Sequence, residues 1–439
     1  MTAIGDVAVS RQEKTAVVDW GRYQVDHLFV LVGGNPLPNA VAARLLVAPG
    51  STVHLVHTPR SAPVATRLGR WLSDRRQLRV VHHTVGPETS EIVAAVTPVV
   101  TPLAGQRVGL HYTGGTKRMA VHAYDAVAAA LAKADPHAWF SYLDARTLTM
   151  RLHRADVHAV QDVAVEPAGL AVSLDLRELI HGLQGWNLPY FSTAARLAGS
   201  AAALRQIHMS AEGQGAWKQW LDQTQGHDPL TLPGDEQLLP VATELRREFG
   251  LGPDQQLPRD FLVKAFDLRK IYPRKSTGEL REEAFKWLQG KWLEAVTLRA
   301  LLDRQQALDL HDVGANLEPR RKHDDGSVTK FEFDVAATRG YQLFAFSCYA
   351  GDWEAKAQRK LFEACVRARQ MGGDEACVAL ICCADDTAAV EAAARDAFGV
   401  PDDGSEPRIK VFGRADLVAL PARLDSWIRA CGSPAEVMR

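Results

Sequence analysis

Between residues 27 and 153, short runs of β-forming residues alternate with segments that have helical patterns. The predicted strands are His27–Gly33, Thr52–His57, Leu78–Thr84, Arg107–Thr113, Ala138–Leu143 and Thr147–His153. The predicted helices between them are Asn39–Val47, a segment from Ser61 to about Asp74, a segment from about Ser90, and Thr116–Lys133. This alternation is typical of βαβ units, in which helices join the parallel strands of one sheet. It predicts a Rossmann-like α/β domain over residues 1–155.

The rest of the chain has two further patterns. Residues 156–282 combine polar helical segments with many Gln and Leu residues, which predicts a mostly helical connector. Residues 283–439 follow an α-β-β-α-β order, which predicts a second α/β domain. Its predicted elements include the helix Ala284–Arg304, the hairpin strands Lys330–Thr338 and Tyr341–Cys348, and the strand Ala376–Cys383.

The composition of the chain is that of a soluble protein. Its 439 residues are 46% hydrophobic and 23% charged, and this length is typical of two or three domains. No apolar run approaches the roughly 20 residues that span a bilayer. Residues 1–19 lack the basic region and apolar stretch of a secretory signal. We therefore expect a cytoplasmic protein with no membrane partner.

All six cysteines lie in the last hundred residues, without CxxC spacing and mostly within apolar patterns. These features predict reduced thiols in a hydrophobic core, in place of metal ligands or disulfides.

The charge of the chain gives no overall attraction to nucleic acid, because 51 basic residues are balanced by 52 acidic ones. A nucleic-acid surface must therefore be local. The candidate stretches, each of which is also typical of an ordinary solvated face, are Arg269-Lys270, Arg274-Lys275 and Arg320-Arg321-Lys322.

A glycine turn at the end of the fourth predicted strand has the features of an anion site. The strand ends at Thr113, and a helix begins at Thr116 after Gly114 and Gly115. Unpaired backbone N–H groups and the positive end of the helix dipole favour an anion at such a place. The glycines allow close backbone approach, the threonine hydroxyls can donate hydrogen bonds, and Lys117 adds a full charge.

This turn does not have the order of residues that ATP-binding P-loops require. Gly109 and Gly114 have the P-loop spacing, but Gly115-Thr116-Lys117 stands in place of Gly-Lys-Ser/Thr. An ATPase is therefore disfavoured.

A second glycine turn, Gly33-Gly34-Asn35-Pro36-Leu37-Pro38-Asn39, follows the first predicted strand and also leads into a helix. In open α/β sheets ligands bind outside the carboxyl ends of the strands, where such turns meet. The pattern is not GxGxxG, so a dinucleotide cofactor is weakly supported. Together the two turns predict a pocket for a phosphate-bearing ligand.

Two carboxylates alternate with apolar residues in the run Phe331–Val335. Alternation along a strand places Glu332 and Asp334 on one face, roughly 7 Å apart, with Phe331, Phe333 and Val335 on the other. Oxygen ligands of this kind hold Mg²⁺ or Mn²⁺, which can activate water for phosphodiester hydrolysis.

The neighbouring predicted helices carry more candidate groups. Glu294 lies on the helix that enters this domain and offers a third carboxylate. Lys356, Lys360 and Glu363 follow the hairpin at spacings of four and three, so they project from a similar helix face. A lysine beside metal-held carboxylates can orient water or stabilise charge on a phosphate. The group predicts a metal-dependent nuclease site.

Together, these two groups of residues resemble those of the CRISPR-associated Rossmann-fold (CARF) effector nucleases, in which a CARF sensor precedes a PD-(D/E)XK restriction-endonuclease-like domain. The resemblance covers nearly the whole chain and is weakest between residues 156 and 280. It rests on the runs HYTGGTKRM (His111–Met119), GGNPLPN (Gly33–Asn39), GKWLE (Gly290–Glu294), FEFDV (Phe331–Val335) and KLFEACVRARQMGGDEA (Lys360–Ala376).

The resemblance implies a homodimer that binds a cyclic oligoadenylate, most often the tetra-adenylate, and then cuts DNA or RNA with little sequence preference in a type III CRISPR response. On the sensor side, the residues that it places at the ligand are Gly33, Gly34, Asn35, Pro36, Asn39, Thr113, Gly114, Gly115, Thr116, Lys117 and Met119. On the nuclease side, Glu294, Glu332 and Asp334 would bind Mn²⁺ or Mg²⁺, and the catalytic group would also include Lys356, Lys360 and Glu363.

The chain departs from the family at the second hairpin strand. The family's Glu-x-Lys falls on Ser347-Cys348-Tyr349, which supplies neither a carboxylate nor an amine. Either Lys360 or Lys356 has taken over the role of the lysine, assisted by Glu363 or Glu294, or the nuclease is weak or inactive. Two alternatives to an active nuclease therefore stay open: a ligand sensor with a degenerate nuclease domain, and a ring nuclease that cleaves its own ligand.

Overall fold

The computed structural model describes residues 18–86, 88–131, 138–154, 157–164, 172–401 and 407–432. These residues form two α/β units with a helical segment between them, which confirms the predicted fold class.

The first unit is built on a seven-stranded sheet with the order β3-β2-β1-β4-β5-β6-β7. Strands β1 to β5 are parallel, and β6 and β7 are antiparallel additions at one edge. The strands are β1 (Val25–Val32), β2 (Val47–His57), β3 (Arg79–Thr84), β4 (Val108–His111), β5 (Trp139–Asp144), β6 (Thr149–Arg154) and β7 (Val157–Ala164). The helices are α1 (Leu37–Leu46), α2 (Ala62–Arg76), α3 (Thr89–Val100) and α4 (Lys117–Leu131).

The connecting segment is mostly helical, as its composition predicts. It begins with a π-helical turn at Glu178–Leu183 and continues with six α-helices. These are α5 (Ala198–Ile207), α6 (Ala211–Thr224), α7 (Leu239–Phe249), α8 (Arg259–Ala265), α9 (Leu268–Ile271) and α10 (Thr277–Lys286).

The second unit contains a five-stranded sheet with the order β14-β13-β12-β11-β8. Strands β8, β11 and β12 are antiparallel, and β12, β13 and β14 are parallel. The strands of the unit are β8 (Leu310–Leu317), β9 (Arg320–Lys322), β10 (Val328–Lys330), β11 (Phe333–Arg339), β12 (Gln342–Tyr349), β13 (Cys377–Cys382) and β14 (Ile409–Phe412). Its helices are α11 (Trp292–Arg304), α12 (Glu354–Gly372), α13 (Ala388–Ala397) and α14 (Leu420–Gly432).

The structure differs from the sequence-based expectations in four places. The first sheet continues into β7 beyond residue 155, where that domain was predicted to end. The boundary predicted between residues 282 and 283 falls inside α10, and the whole of β8 was missed. The predicted strand Lys330–Thr338 is divided, because β10 ends at Lys330 and β11 begins at Phe333. Burial nevertheless alternates through the break as predicted.

The two units share part of their hydrophobic core. One apolar cluster runs from α1 and α2 through buried residues between Val172 and Leu188 to α12 and β13. All six cysteines are free and buried, as predicted. Among the described helices, none has the length and apolar character that a membrane span requires.

Candidate functional site

The two glycine turns lie side by side in the first unit. They follow β1 and β4, which are neighbouring parallel strands with Val30 paired to His111. The strand order reverses at this pair, because β2 and β3 lie on one side and β5 on the other. Ligands of open α/β sheets bind at such a point. The structure therefore confirms that the two turns meet at one sheet edge.

Close backbone contact explains the glycines in these turns. A Cβ atom on Gly33 would lie 2.9 Å from the backbone nitrogen of Gly115, and one on Gly114 would lie 2.1 Å from the carbonyl oxygen of Leu31. Gly115 also has a φ of +76°, a left-handed conformation that favours glycine. Side chains at these positions would force the two turns apart.

The polar surface of the turns is formed by the start of α4. Lys117 is its first residue and is exposed. The Thr116 hydroxyl accepts a hydrogen bond from the Met119 N–H over 3.2 Å, and the Thr113 hydroxyl accepts one from the Leu143 N–H over 2.7 Å. Each hydroxyl keeps its proton for donation. The surface combines a helix N-terminus with a cation and can bind an anion.

Three of the residues that were predicted to touch the ligand are instead buried beneath the turns. Asn39 is fully buried, and its Nδ2 donates a hydrogen bond to the Leu31 carbonyl over 2.9 Å. The Met119 side chain is only 2% exposed, and Pro36 is buried. Because these side chains pack against the protein, we assign them to support of the turns in place of direct contact.

Asn35 connects the first unit to the second. Its Oδ1 accepts hydrogen bonds from the Leu37 N–H and from Nε2 of the buried Gln184, each over 3.1 Å. The same Nε2 donates to the carbonyl of Met371 at the end of α12, over 2.9 Å. Arg321 donates to the Gln184 carbonyl over 2.6 Å. Gln184 therefore joins the glycine turn that follows β1 to a helix of the second unit.

In the second unit, Asp334 lies at the start of β11 and is held by three donors. Its Oδ2 accepts hydrogen bonds from the Cys348 N–H over 2.7 Å, the Ser347 hydroxyl over 3.2 Å and the Lys360 amine over 3.3 Å. Lys360 also donates to the Cys348 carbonyl over 3.1 Å. Burial opposes the charge on Lys360, but Asp334, Cys348 and Glu294 together outweigh it and raise the pKa of the amine. Lys360 on α12 therefore contacts both the carboxylate at the start of β11 and the backbone near the end of β12.

Glu332 pairs with a lysine that sequence reasoning missed. Lys291 Nζ lies 3.0 Å from Glu332 Oε1 and 3.3 Å from Asn316 Oδ1. Lys291 ends a π-helical turn, Trp287–Lys291, that interrupts the predicted helix because Gly290 leaves the helical conformation. Such turns are frequent at functional sites. Gly290, inside an otherwise helical pattern, was the sequence signal that could have indicated this interruption.

Glu294 is the buried carboxylate of the group. It is 7% exposed and makes no hydrogen bond through its carboxylate to the described residues. Burial raises the pKa of Glu294 well above its usual range, Asp334 and Glu332 add to this effect, and Lys291 opposes it. Burial also opposes the charge on Lys291, but Glu294 and Glu332 outweigh it and raise its pKa. The structure therefore brings Glu294, Glu332, Asp334 and Lys360 together, with Lys291 added. We call these five residues the carboxylate–lysine group.

Lys356 and Glu363 do not join this group. The Lys356 amine lies 5.0 Å from the centre of the Tyr349 ring. Glu363 is exposed and forms no ion pair within the part of the chain that is described. Both residues lie on α12 with Lys360, but their side chains are directed elsewhere.

The carboxylates have the donor chemistry for a divalent cation, and the buried Glu294 has no hydrogen-bond donor of its own. However, no three carboxylate, imidazole or thiol groups converge closely enough to hold a metal ion in the described ranges. Glu332 and Asp334 are instead paired with lysines. Glu332 is 40% exposed, so its side chain is free to exchange a lysine for another cation.

No protein-family model and no curated protein sequence matches the chain. Solved structures do match it. Protein VC1899 from Vibrio cholerae is 14% identical with a TM-score of 0.65, and the match covers 93% of this chain and 99% of that one. Can2 from Sulfobacillus thermosulfidooxidans, solved in complex with cyclic tetra-adenylate, is 15% identical with a TM-score of 0.62, and the match covers 93% and 98%. Over nearly its whole length, the chain therefore has the fold of these two proteins.

Proposed function

We propose that the chain is a metal-dependent nuclease of type III CRISPR defence that is activated by a cyclic oligoadenylate. One observation carries this proposal. The chain combines a glycine turn that is suited to an anion, at the point where the strand order of the first sheet reverses, with the carboxylate–lysine group in the second unit. Can2, which shares the fold, was solved with cyclic tetra-adenylate, and this supports the choice of ligand.

On the ligand side, the exposed or half-buried residues of the two turns contact the phosphates and bases of cyclic tetra-adenylate. These are Gly33, Gly34, Asn35, Thr113, Gly114, Gly115, Thr116 and Lys117. A cyclic ligand with repeated units is matched by a symmetric site, so we propose that two copies of the chain form a homodimer around it. Lys117 of each copy then faces a phosphate, which is the anion that a helix N-terminus and a lysine favour.

On the nuclease side, Glu294, Glu332 and Asp334 would hold Mn²⁺ or Mg²⁺. The cation would supply Lewis-acid activation of water and of the scissile phosphate of DNA or RNA. Lys360, already fixed by Asp334 and the Cys348 carbonyl, is placed to stabilise the negative charge that develops on the phosphate.

A cleavage assay tests the function directly. Purified protein is given Mn²⁺ or Mg²⁺, each cyclic oligoadenylate in turn, and single- and double-stranded DNA and RNA. Cleavage that depends on both ligand and metal supports the proposal, and no cleavage of any substrate contradicts it.

A ligand sensor with a degenerate nuclease domain is the second candidate. It is favoured by Ser347-Cys348-Tyr349 in place of Glu-x-Lys and by the lysine pairing of Glu332 and Asp334. Tight binding of a cyclic oligoadenylate without detectable metal binding by calorimetry would support this candidate over the nuclease.

The two candidate lysines can be separated by matched variants. We expect Lys360→Met to lower activated cleavage by about 100-fold or more, because it removes an amine that a reacting phosphate would meet in a poorly solvated site. Lys356→Met should stay within about threefold of the wild type, because its amine lies over Tyr349. Initial cleavage rates at saturating ligand measure both effects. The reverse ranking would move the catalytic role to Lys356.

Gln184 provides a test of the coupling between the two sites. Gln184→Ala removes the hydrogen bonds to Asn35 and to the Met371 carbonyl. If ligand binding biases α12 through this side chain, the ratio of cleavage with ligand to cleavage without it should fall by about 5- to 10-fold. Gln370→Ala, an exposed change on α12, is the control. An unchanged ratio in Gln184→Ala would mean that the signal takes another route.

A further inference from the structure

A cleft leads from the connecting segment into the carboxylate–lysine group. Its cavity of about 80 Å³ is bounded by the segment around Tyr190, by α9 and by α11. Aromatic side chains line its walls, and Lys291 and Glu294 also line it. The aromatic residues are Tyr190, Phe266, Tyr272 and Trp287. The cleft is thus continuous with the group that we propose to be catalytic.

Three basic residues lie in α9 or shortly after it, and α9 borders this cleft. Arg269, Lys270 and Arg274 are exposed, and none of the three forms an ion pair with the described residues. Lys270 Nζ lies 5.5 Å from the centre of the Tyr190 ring. Lys275, in contrast, is neutralised by Glu283 at 2.6 Å. Three cations without an ion pair to the described residues therefore lie in or next to a helix that borders the aromatic-lined cleft, in a chain whose net charge is only −1.

Three residues other than glycine near this cleft have a left-handed backbone conformation. Asn316 (φ +56°) lines it, and Asp267 (φ +50°) lies between the lining residues Phe266 and Leu268. Leu197 (φ +51°) follows the lining residue Arg196. Such conformations are unfavourable for residues other than glycine and cluster at functional sites.

We infer that this cleft and its basic rim bind the nucleic-acid strand that is cut. Arg269, Lys270 and Arg274 contact successive phosphates, and one unpaired base stacks on the aromatic wall of the cleft. The phosphate next to that base then lies at Lys291 and Glu294. The inference rests on the proposed nuclease function and assigns its substrate surface to the connecting segment.

The chemistry of the surface favours a nucleic acid over an apolar peptide. A peptide groove needs apolar contact and paired backbone groups, whereas this rim carries unpaired cations that a polyanion would neutralise. Aromatic rings accept any base, since every base has a stacking face, so such a site has little sequence preference.

The inference is tested by measuring nucleic-acid binding to a variant that is expected not to cut. Fluorescence anisotropy measures the affinity of labelled single-stranded DNA and RNA oligonucleotides for the Asp334→Asn protein, with cyclic tetra-adenylate present, over a series of salt concentrations. Adding Arg269→Gln and Arg274→Gln should weaken binding about 10-fold or more. It should also reduce the slope of log affinity against log salt by roughly 1.4, which corresponds to two lost contacts to a single strand. Arg70→Gln with Arg79→Gln, two exposed residues of the first unit, is the matched control.

The aromatic wall is tested separately. Tyr190→Ala should weaken single-strand binding by about 5- to 100-fold through lost stacking, and Tyr190→Phe should restore it. Unchanged affinity for cyclic tetra-adenylate shows that each variant is folded. Wild-type affinity in both the arginine and the tyrosine variants, while the unmutated protein still cuts, overturns the inference and leaves the proposed function intact. If the Asp334→Asn protein binds no nucleic acid and the unmutated protein cuts none, the proposed function fails.

Discussion

Asp334→Asn should reduce ligand-activated cleavage by more than about 100-fold while leaving the affinity for cyclic tetra-adenylate unchanged. The Asp334 carboxylate accepts three hydrogen bonds through one oxygen, so an asparagine of the same shape fits the site. It lacks the negative charge that a divalent cation and Lys360 require. Removal of a residue that hydrogen-bonds to a metal ligand lowers metal affinity or activity by about 10- to 100-fold, and removal of the metal ligand itself should lower activity further.

Asp324→Asn is the matched control, because Asp324 is an exposed carboxylate in the turn between β9 and β10. Initial cleavage rates with saturating ligand and Mn²⁺ are compared with ligand affinities from calorimetry. If Asp334→Asn still cuts at the rate of the control, the reaction takes place elsewhere in the chain.

The sequence predicts the first unit well because its signals are local. Each strand of the parallel sheet is a short apolar run, and the glycines at positions 33, 114 and 115 mark backbone contacts that no other residue allows. The edge strand β7 was missed because it lies beyond the last strand of the βαβ pattern, in the segment that was assigned to the helical connector. Pattern and spacing therefore predict the ligand turns, but they do not predict which side chains of a turn face outward.

The second site depends on contacts that are distant in sequence. Glu332 and Lys291 are 41 residues apart, and Asp334 and Lys360 are 26 apart. The predicted residues Glu294, Glu332, Asp334 and Lys360 do meet, because β11 and β12 pair as a hairpin, α11 packs against both strands, and α12 packs against β12. Lys291 was missed because the π-helical turn changes the helical register, which a regular helical pattern does not anticipate. Lys356 and Glu363 share a helix with Lys360, yet spacing along a helix does not specify the partners of long side chains.

Lys117→Ala should weaken the binding of cyclic tetra-adenylate by about 10- to 150-fold. A hydrogen bond to a charged group contributes about 1.5 to 3 kcal/mol, and the lost amine is the only full charge among the residues that we place at the ligand. The backbone N–H groups at the start of α4 remain, so binding should weaken without being abolished. Isothermal titration calorimetry measures the change in affinity.

Cleavage by the same variant separates recognition from catalysis. At saturating ligand the Lys117→Ala protein should cut within about threefold of the wild type, because the carboxylate–lysine group is unchanged and only the ligand concentration needed to activate it has risen. Lys322→Ala, an exposed lysine of the second unit, controls for the loss of one charge. Unchanged ligand affinity in Lys117→Ala would show that the turn does not bind the activator. A loss of cleavage that saturating ligand does not restore would instead mean that Lys117 helps to set the active state of the protein, and not only its affinity for the ligand.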